Sequence, residues 1–198
     1  MSRESKFILS MMFLAISIVI CLFSYSNSKK LKEDKVMESE LKVVFLGSRP
    51  QYVSTLAEWT YNKWKNYDPT LTLEETIEKY QNRLNTNQVP FALVLLDRDT
   101  PIGMVYLDQT KQIEGFSDKL PWVGDFYILP KYDSQGIKFR RYLMRNLEGV
   151  CRNLRILRLY VYTSDPSRVD WYTELGWKII KTSNHLDHLV TIMEYTVN

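Results

Sequence analysis

The chain has 198 residues, 45% hydrophobic and 25% charged, enough for one domain with a real core once any leader is set aside. Its net charge of +3, part of it in the run Lys29, Lys30, Lys32 and Lys35, is too mild to support nucleic-acid binding. Of two cysteines, Cys21 lies in the leader and Cys151 on the apolar side of a predicted helix, so neither a disulfide framework nor a cysteine-based metal site is available.

Residues 7–25 are nearly all apolar and uncharged, and about 19 residues at ~1.5 Å rise match the hydrocarbon thickness of a bilayer. The segment 1–26 therefore reads as a single-pass membrane anchor. A cleavable signal peptide is the rival: Ser24-Tyr25-Ser26 offers small residues for cleavage, but the apolar run exceeds the usual core of about 7–15 residues. Arg3 and Lys6 precede the run and four lysines follow it, a bias that places the C-terminal domain in the cytoplasm. Residues 27–40 are polar and mixed in charge, as a tether would be.

The domain proper is expected over 41–198. Residues 41–46 form a short strand, and Gly47-Ser48-Arg49-Pro50 leads into a helix through about Tyr67, with Val53, Leu56, Ala57, Thr60, Tyr61 and Trp64 at helical spacing. Asp68-Pro69 ends it. Thr72 with Glu75 three residues on is a capping box for a helix to about Asn85. Residues 91–96 and 102–107 flank Asp97 to Pro101 as a hairpin, and 108–121 make a long polar loop. Residues 123–129 read as a strand ended by Pro130; the turn 131–136 opens an amphipathic helix over 137–152. A strand at 156–162, a short helix closing in Trp171-Tyr172-Thr173-Glu174-Leu175-Gly176-Trp177, and strands at 178–182 and 189–195 around the loop 183–188 complete the chain. The order β-α-α-β-β-β-α-β-α-β-β predicts an α/β fold that mixes antiparallel hairpins with one helical crossover. A turn feeding a helix N-terminus presents unpaired N–H groups and the positive end of a dipole, which suits a phosphate.

This order, with Pro130-Lys131-Tyr132-Asp133-Ser134-Gln135-Gly136-Ile137-Lys138 and the Trp171 to Trp177 motif, resembles the GNAT superfamily of acetyl-CoA-dependent N-acetyltransferases across essentially all of 41–198. The resemblance implies a GNAT-like, mixed and mostly antiparallel central sheet flanked by helices, with the hydrophobic N-terminal helix outside the domain. It also implies acetyl-CoA as the acetyl donor and a small-molecule or peptide amine as acceptor. The backbone of Gln135, Gly136, Ile137 and Lys138 would cradle the pyrophosphate, and Tyr127, Ile128 and Leu129 would lie on a splayed strand that pairs with the pantetheine arm. Tyr172 matches the tyrosine that protonates the departing thiolate.

Three positions depart from the family pattern: Asp133 stands where Arg or Gln is usual, Ser134 where Gly is common, and Lys138 where a small residue sits. A carboxylate about 4 Å from a pyrophosphate costs on the order of 1–4 kcal/mol, so a catalytically weakened, membrane-anchored binding or regulatory module is the alternative reading. Amine attack also needs a base. Asp125, two positions before Tyr127 and on the same strand face, is the leading candidate, with Glu58 and Asp118 behind it. Trp59, Tyr61, Trp64 and Phe116 are candidates for the acceptor wall, with core packing as the rival reading. Asp165 reads as a helix cap before Pro166. His185, Asp187 and His188 read as a turn, with no third ligand to make a metal site.

Overall fold

The computed structural model describes residues 19–20, 22–26, 28–29, 41–110, 113, 115–116 and 118–197, with the backbone alone at 133–136. Its first compact unit, Met1–Leu41, has its described residues 19–20, 22–26 and 28–29 in helix, with Val19, Ile20, Leu22, Phe23 and Tyr25 exposed. Most of the expected span over 7–25 and the tether over 27–40 lie outside the described residues. Among those described, no helix is long and apolar enough to cross a membrane.

The second unit, Lys42–Asn198, is built on a seven-stranded sheet. Strand β1 is Leu41–Phe45, followed by helices α1 (Val53–Trp64) and α2 (Leu73–Gln81) and strands β2 (Phe91–Asp97), β3 (Thr100–Asp108) and β4 (Trp122–Ile128). Helix α3 (Gly136–Asn153), strand β5 (Arg158–Thr163), helix α4 (Pro166–Glu174) and strands β6 (Lys178–His185) and β7 (His188–Thr196) follow. The sheet order is β1-β2-β3-β4-β5-β7-β6. The pairs β2–β3, β3–β4, β5–β7 and β6–β7 are antiparallel, and β4–β5 is parallel. Element order and the mixed, mostly antiparallel sheet agree with the expectation from sequence.

One face of the sheet carries α1 and α2. Leu46, Leu56, Ala57, Tyr80, Ala92, Val94, Leu96 and Met104 form a continuous apolar cluster there. Helix α3 buries Phe139, Leu143, Leu147 and Cys151, a stripe at four-residue spacing that lies along one side of a helix. Alternation along β4 separates the two faces: Tyr127 meets Trp59 of α1, with ring centroids 5.2 Å apart, whereas Phe126 meets Trp171 and Tyr172 of α4 at 5.4 and 6.3 Å.

Element ends follow local chemistry. The capping box forms as expected, Glu75 N–H donating to Thr72 Oγ1 at 3.2 Å and Thr72 N–H to Glu75 Oε2 at 3.3 Å. Asp165 caps α4, accepting from Ser167 N–H at 2.9 Å. Gly176 ends that helix at φ +89°, where a side chain would be strained; its N–H donates to Thr173 O, and Trp177 N–H to Tyr172 O.

Several boundaries differ from expectation. Helix α1 begins at Val53 rather than at the turn, because two 3-10 turns, Leu46–Ser48 and Pro50–Tyr52, come first. Helix α2 stops at Gln81 instead of about Asn85, since Leu84 bridges to Phe91. The expected loop 183–188 is a tight hairpin in which His185 pairs with His188 and only Leu186 and Asp187 turn, at φ +48° and +60°. Two successive positive φ values define the turn whose usual signature is Asn-Gly, and Leu-Asp does not advertise it.

Candidate active site

The site begins where β4 and β5 part. These parallel neighbours share one registered pair, Trp122 with Tyr160, where Tyr160 N–H donates to Pro121 O at 3.1 Å. Past that pair the strands open. Successive strand amides point to alternate sides, so the 2.9 Å bond from Leu129 N–H to Ile102 O turns the amides of Leu129 and Tyr127 toward β3. The amide of Ile128 faces the gap. A bulge shapes β4 just before this point: Met104 lies opposite Tyr127 but Tyr106 lies opposite Gly124, so β4 holds one extra residue, and Asp125 sits at φ +34°. Gly124 is required there, because a Cβ would collide with the Tyr106 ring.

The gap leads to the start of α3. The turn Pro130–Gln135 is a 3-10 turn that runs directly into α3, which opens at Gly136 with no acidic residue in its first turn, so the positive end of the helix dipole lies there. A cavity of about 360 Å³ adjoins it, lined by Phe126, Ile137, Arg140, Asp165, Ser167, Arg168, Asp170, Trp171 and Glu174. Two of the lining carboxylates are engaged: Asp165 caps α4, and Glu174 accepts from Arg141 at 3.2 Å. A strand edge, two guanidinium groups and a helix N-terminus together fit an anionic ligand with an extended amide-bearing arm.

Two titratable side chains flank the gap. Tyr172 of α4 is 2% exposed and packed by the rings of Trp171 and Trp177, at 4.7 and 5.1 Å. Burial drives its hydroxyl well above the ordinary phenol range, Arg168 opposing and the charge of Asp125 adding; the group stays protonated at neutral pH. Asp125, its side chain 2% exposed, points at α1. It accepts from Lys63 Nζ and Trp64 Nε1, each at 2.7 Å, and from Thr60 Oγ1 at 3.1 Å. Burial pushes its carboxyl up, but the Lys63 ammonium and these hydrogen bonds outweigh burial and hold it below the usual carboxylate range.

Residues 53–177 match the model of the acetyltransferase (GNAT) family. The chain belongs to the GNAT acetyltransferase family. Acetyl-CoA is the acetyl donor of that family, and the cleft described above has the features its pyrophosphate and amide arm require. Solved structures share the fold: an aminoglycoside 6'-acetyltransferase type Ii has a TM-score of 0.61 at 15% identity, over 79% of this chain and 97% of that one. The aminoglycoside 6'-N-acetyltransferase of Enterococcus faecium gives 0.59 at 13%, over 79% and 97%. A Salmonella typhimurium protein described as an acetyltransferase, solved with its cofactor acetyl-CoA, gives 0.59 at 14%, over 80% and 95%. No curated protein matches the chain in sequence.

Within the GNAT domain the remaining candidates are dispersed. Gln135 closes the 3-10 turn and Gly136 begins α3; Ile137, 59% exposed, lines the cavity, and Lys138 lies one residue further along the helix. Glu58 is exposed on α1, and Asp118 is an exposed loop residue paired with Lys119 at 3.2 Å. Trp59 and Trp64 stay near β4, the latter through Asp125. Tyr61 lies under Lys65, and Phe116 packs with Ile113, Trp122 and Tyr160. The histidines serve the β6–β7 hairpin: His188 stacks on Tyr67 at 4.1 Å, and His185 contacts Tyr162, Nε2 to Oη 3.4 Å. Among the described residues no histidine, cysteine or carboxylate group could hold a metal.

Sequence reasoning missed Arg168, which lines the cavity, and Lys63, the partner of Asp125. For Lys63 a signal existed. Thr60, Lys63 and Trp64 lie three and four positions apart and continue the α1 face that carries Val53, Leu56 and Ala57, so a lysine falls where the pattern turns inward.

Proposed function

We propose that this GNAT domain transfers the acetyl group of acetyl-CoA directly to a primary amine. The observation that carries the reading is the parting of β4 from β5 in front of the α3 N-terminus, with Tyr172 buried beside Phe126 in the wall. Acetyl-CoA supplies an activated acyl group. The backbone from Gln135 to Lys138 is assigned the pyrophosphate, supported by Arg140 and Arg168. Among Tyr127, Ile128 and Leu129, the Ile128 amide is the one turned to the pantetheine arm.

Tyr172 is assigned the proton given to the leaving sulfur. Its hydroxyl is protonated at neutral pH and so has a proton to give, while burial makes it a weaker acid than an exposed phenol. Asp125 is assigned a proton-accepting role of restricted kind. A carboxylate held low by Lys63 does not deprotonate a free ammonium near pH 7. It does accept a proton from a nitrogen already bonding to the carbonyl, whose acidity is far higher. The acceptor is a small-molecule or peptide amine; two structures of similar fold carry aminoglycoside in their names. The apolar leader over 7–25 is assigned to membrane anchoring with the domain on the cytoplasmic side, supported by its length, its lack of charge and the basic residues around it. Mass spectrometry of the membrane fraction checks this, and loss of the first 26 residues from the mature chain refutes it.

Isothermal titration with acetyl-CoA, joined to thiol release over an amine panel, tests the central reading. Binding with amine-dependent thiol release is expected; no heat up to about 1 mM acetyl-CoA refutes it. Tight binding with no turnover on any amine would favour the weakened module suggested by Asp133, Ser134 and Lys138. Asp133→Arg with Ser134→Gly is expected to strengthen acetyl-CoA binding by about tenfold, less at high salt.

A further inference from the structure

The Tyr172 hydroxyl is a weak acid for the task assigned to it. A thiolate is a weaker base than a phenolate, with conjugate acids near about 8.5 and about 10, and burial widens that difference at Tyr172. Its proton therefore reaches sulfur only after negative charge has gathered there, and that charge needs a partner in the meantime. Arg168 stands where such a partner is needed. It lies four residues before Tyr172 on α4, a spacing that puts both side chains on one face of the helix. It also lines the cavity beside Phe126 and Trp171, whose rings pack against Tyr172 at 6.3 and 4.7 Å. Its side chain is 33% exposed. Two of the carboxylates around it are engaged: Asp165 approaches Arg168 Nε at 3.8 Å while accepting from the Ser167 amide and hydroxyl at 2.9 and 2.7 Å, and Glu174 accepts from Arg141 of α3 at 3.2 Å. Asp170, the third carboxylate of the wall, lies two positions from both Arg168 and Tyr172 and so about half a turn round the helix. From α3, Arg140 brings a second cation to the same wall.

We propose that Arg168 is a catalytic residue, its guanidinium N–H groups holding the negative charge that develops on the sulfur of the acetyl donor as the acetyl group departs. This rests on the reading that acetyl-CoA occupies the β4–β5 cleft with its sulfur at Tyr172. As the C–N bond forms and the thioester C–S bond breaks, the bonding pair passes to sulfur, and the guanidinium supplies the opposite charge. The nitrogen gives up one proton, Tyr172 gives one to sulfur and is reprotonated, and Arg168 ends unchanged. The role differs from support of the pyrophosphate, which raises the affinity for every CoA derivative alike.

The test needs neither an acceptor amine nor turnover. Calorimetry on the full chain measures the affinity for CoA and for desulfo-CoA, which lacks the sulfur, from about pH 7 to about pH 9.5, across the ionisation of a thiol. In the native chain CoA is expected to gain about tenfold on desulfo-CoA over this range, because only CoA offers Arg168 a thiolate. Arg168→Gln is expected to abolish the gain, and Arg168→Lys, which keeps the charge, to retain much of it. Thermal melts of each variant confirm that it is folded. A loss of affinity in Arg168→Gln that is equal for the two ligands at every pH makes Arg168 a binding residue only and overturns the proposal, as does a gain that survives Arg168→Gln. Both ligands bound by the native chain with no pH-dependent difference between them overturns this inference alone, whereas binding of neither overturns the cleft assignment and this inference with it.

Discussion

At Tyr172 the ring packing and the chemistry are separable. The rings of Phe126, Trp171 and Trp177 hold the side chain whether or not it bears a hydroxyl. Tyr172→Phe is therefore expected to lower kcat by about 10–100-fold while acetyl-CoA affinity stays within about twofold; steady-state kinetics with calorimetry checks both. Asp125 is a structural charge as well as a candidate proton acceptor. Asp125→Asn leaves Lys63 buried without its counter-ion, at a cost of about 3–5 kcal/mol. Because the folded pKa of Asp125 is depressed, its contribution is fully present above the unfolded carboxylate value of about 3.9 and is lost as pH falls through the lower folded value. Asp108, which accepts from Arg83 at 2.7 Å and is likewise held low, acts in the same window. Melting temperatures across about pH 6 to 3 are expected to fall most steeply below about pH 4. In Asp125→Asn the loss is already present at pH 6 and the acid slope is shallower.

At the scale of elements, the bulge in β4 shapes the site. It brings Asp125 to the α1 face and forces a glycine at 124, since the Tyr106 ring fills the space of a Cβ. That ring is half-buried and held between Tyr80 at 6.0 Å and the Arg83 guanidinium at 3.9 Å, which limits its room to yield. Gly124→Ala is expected to destabilise by about 1–3 kcal/mol and to weaken acetyl-CoA binding through the displaced strand, which denaturant melts and calorimetry measure. Strands, helices and both caps were legible because they depend on period and on neighbours a few residues apart. The bulge was not. It is set by pairing between β3 and β4, and Val123-Gly124-Asp125-Phe126 reads as plain strand when its partner is unknown. The β6–β7 turn escaped for a related reason, its two positive φ values falling on Leu186 and Asp187 rather than on glycine or asparagine.

For the whole molecule, the GNAT unit contains its own core and the entire cleft. A chain beginning at residue 41 is expected to keep its thermal midpoint and to bind acetyl-CoA within about twofold of the full chain; a large loss in either would show that the leader contributes to the fold. By itself the sequence determined the element order, the fold class and the two motifs around Gly136 and Tyr172, because hydrophobic period, capping and turn chemistry act over a few residues of chain. Only the tertiary structure decided which groups meet across the β4–β5 gap. Lys63 and Asp125 are separated by 62 positions in the chain, and their 2.7 Å contact exists because α1 is laid across β4. That contact and the hydrogen bonds beside it keep one buried carboxylate an anion against the pull of burial, whereas burial alone keeps the Tyr172 phenol protonated.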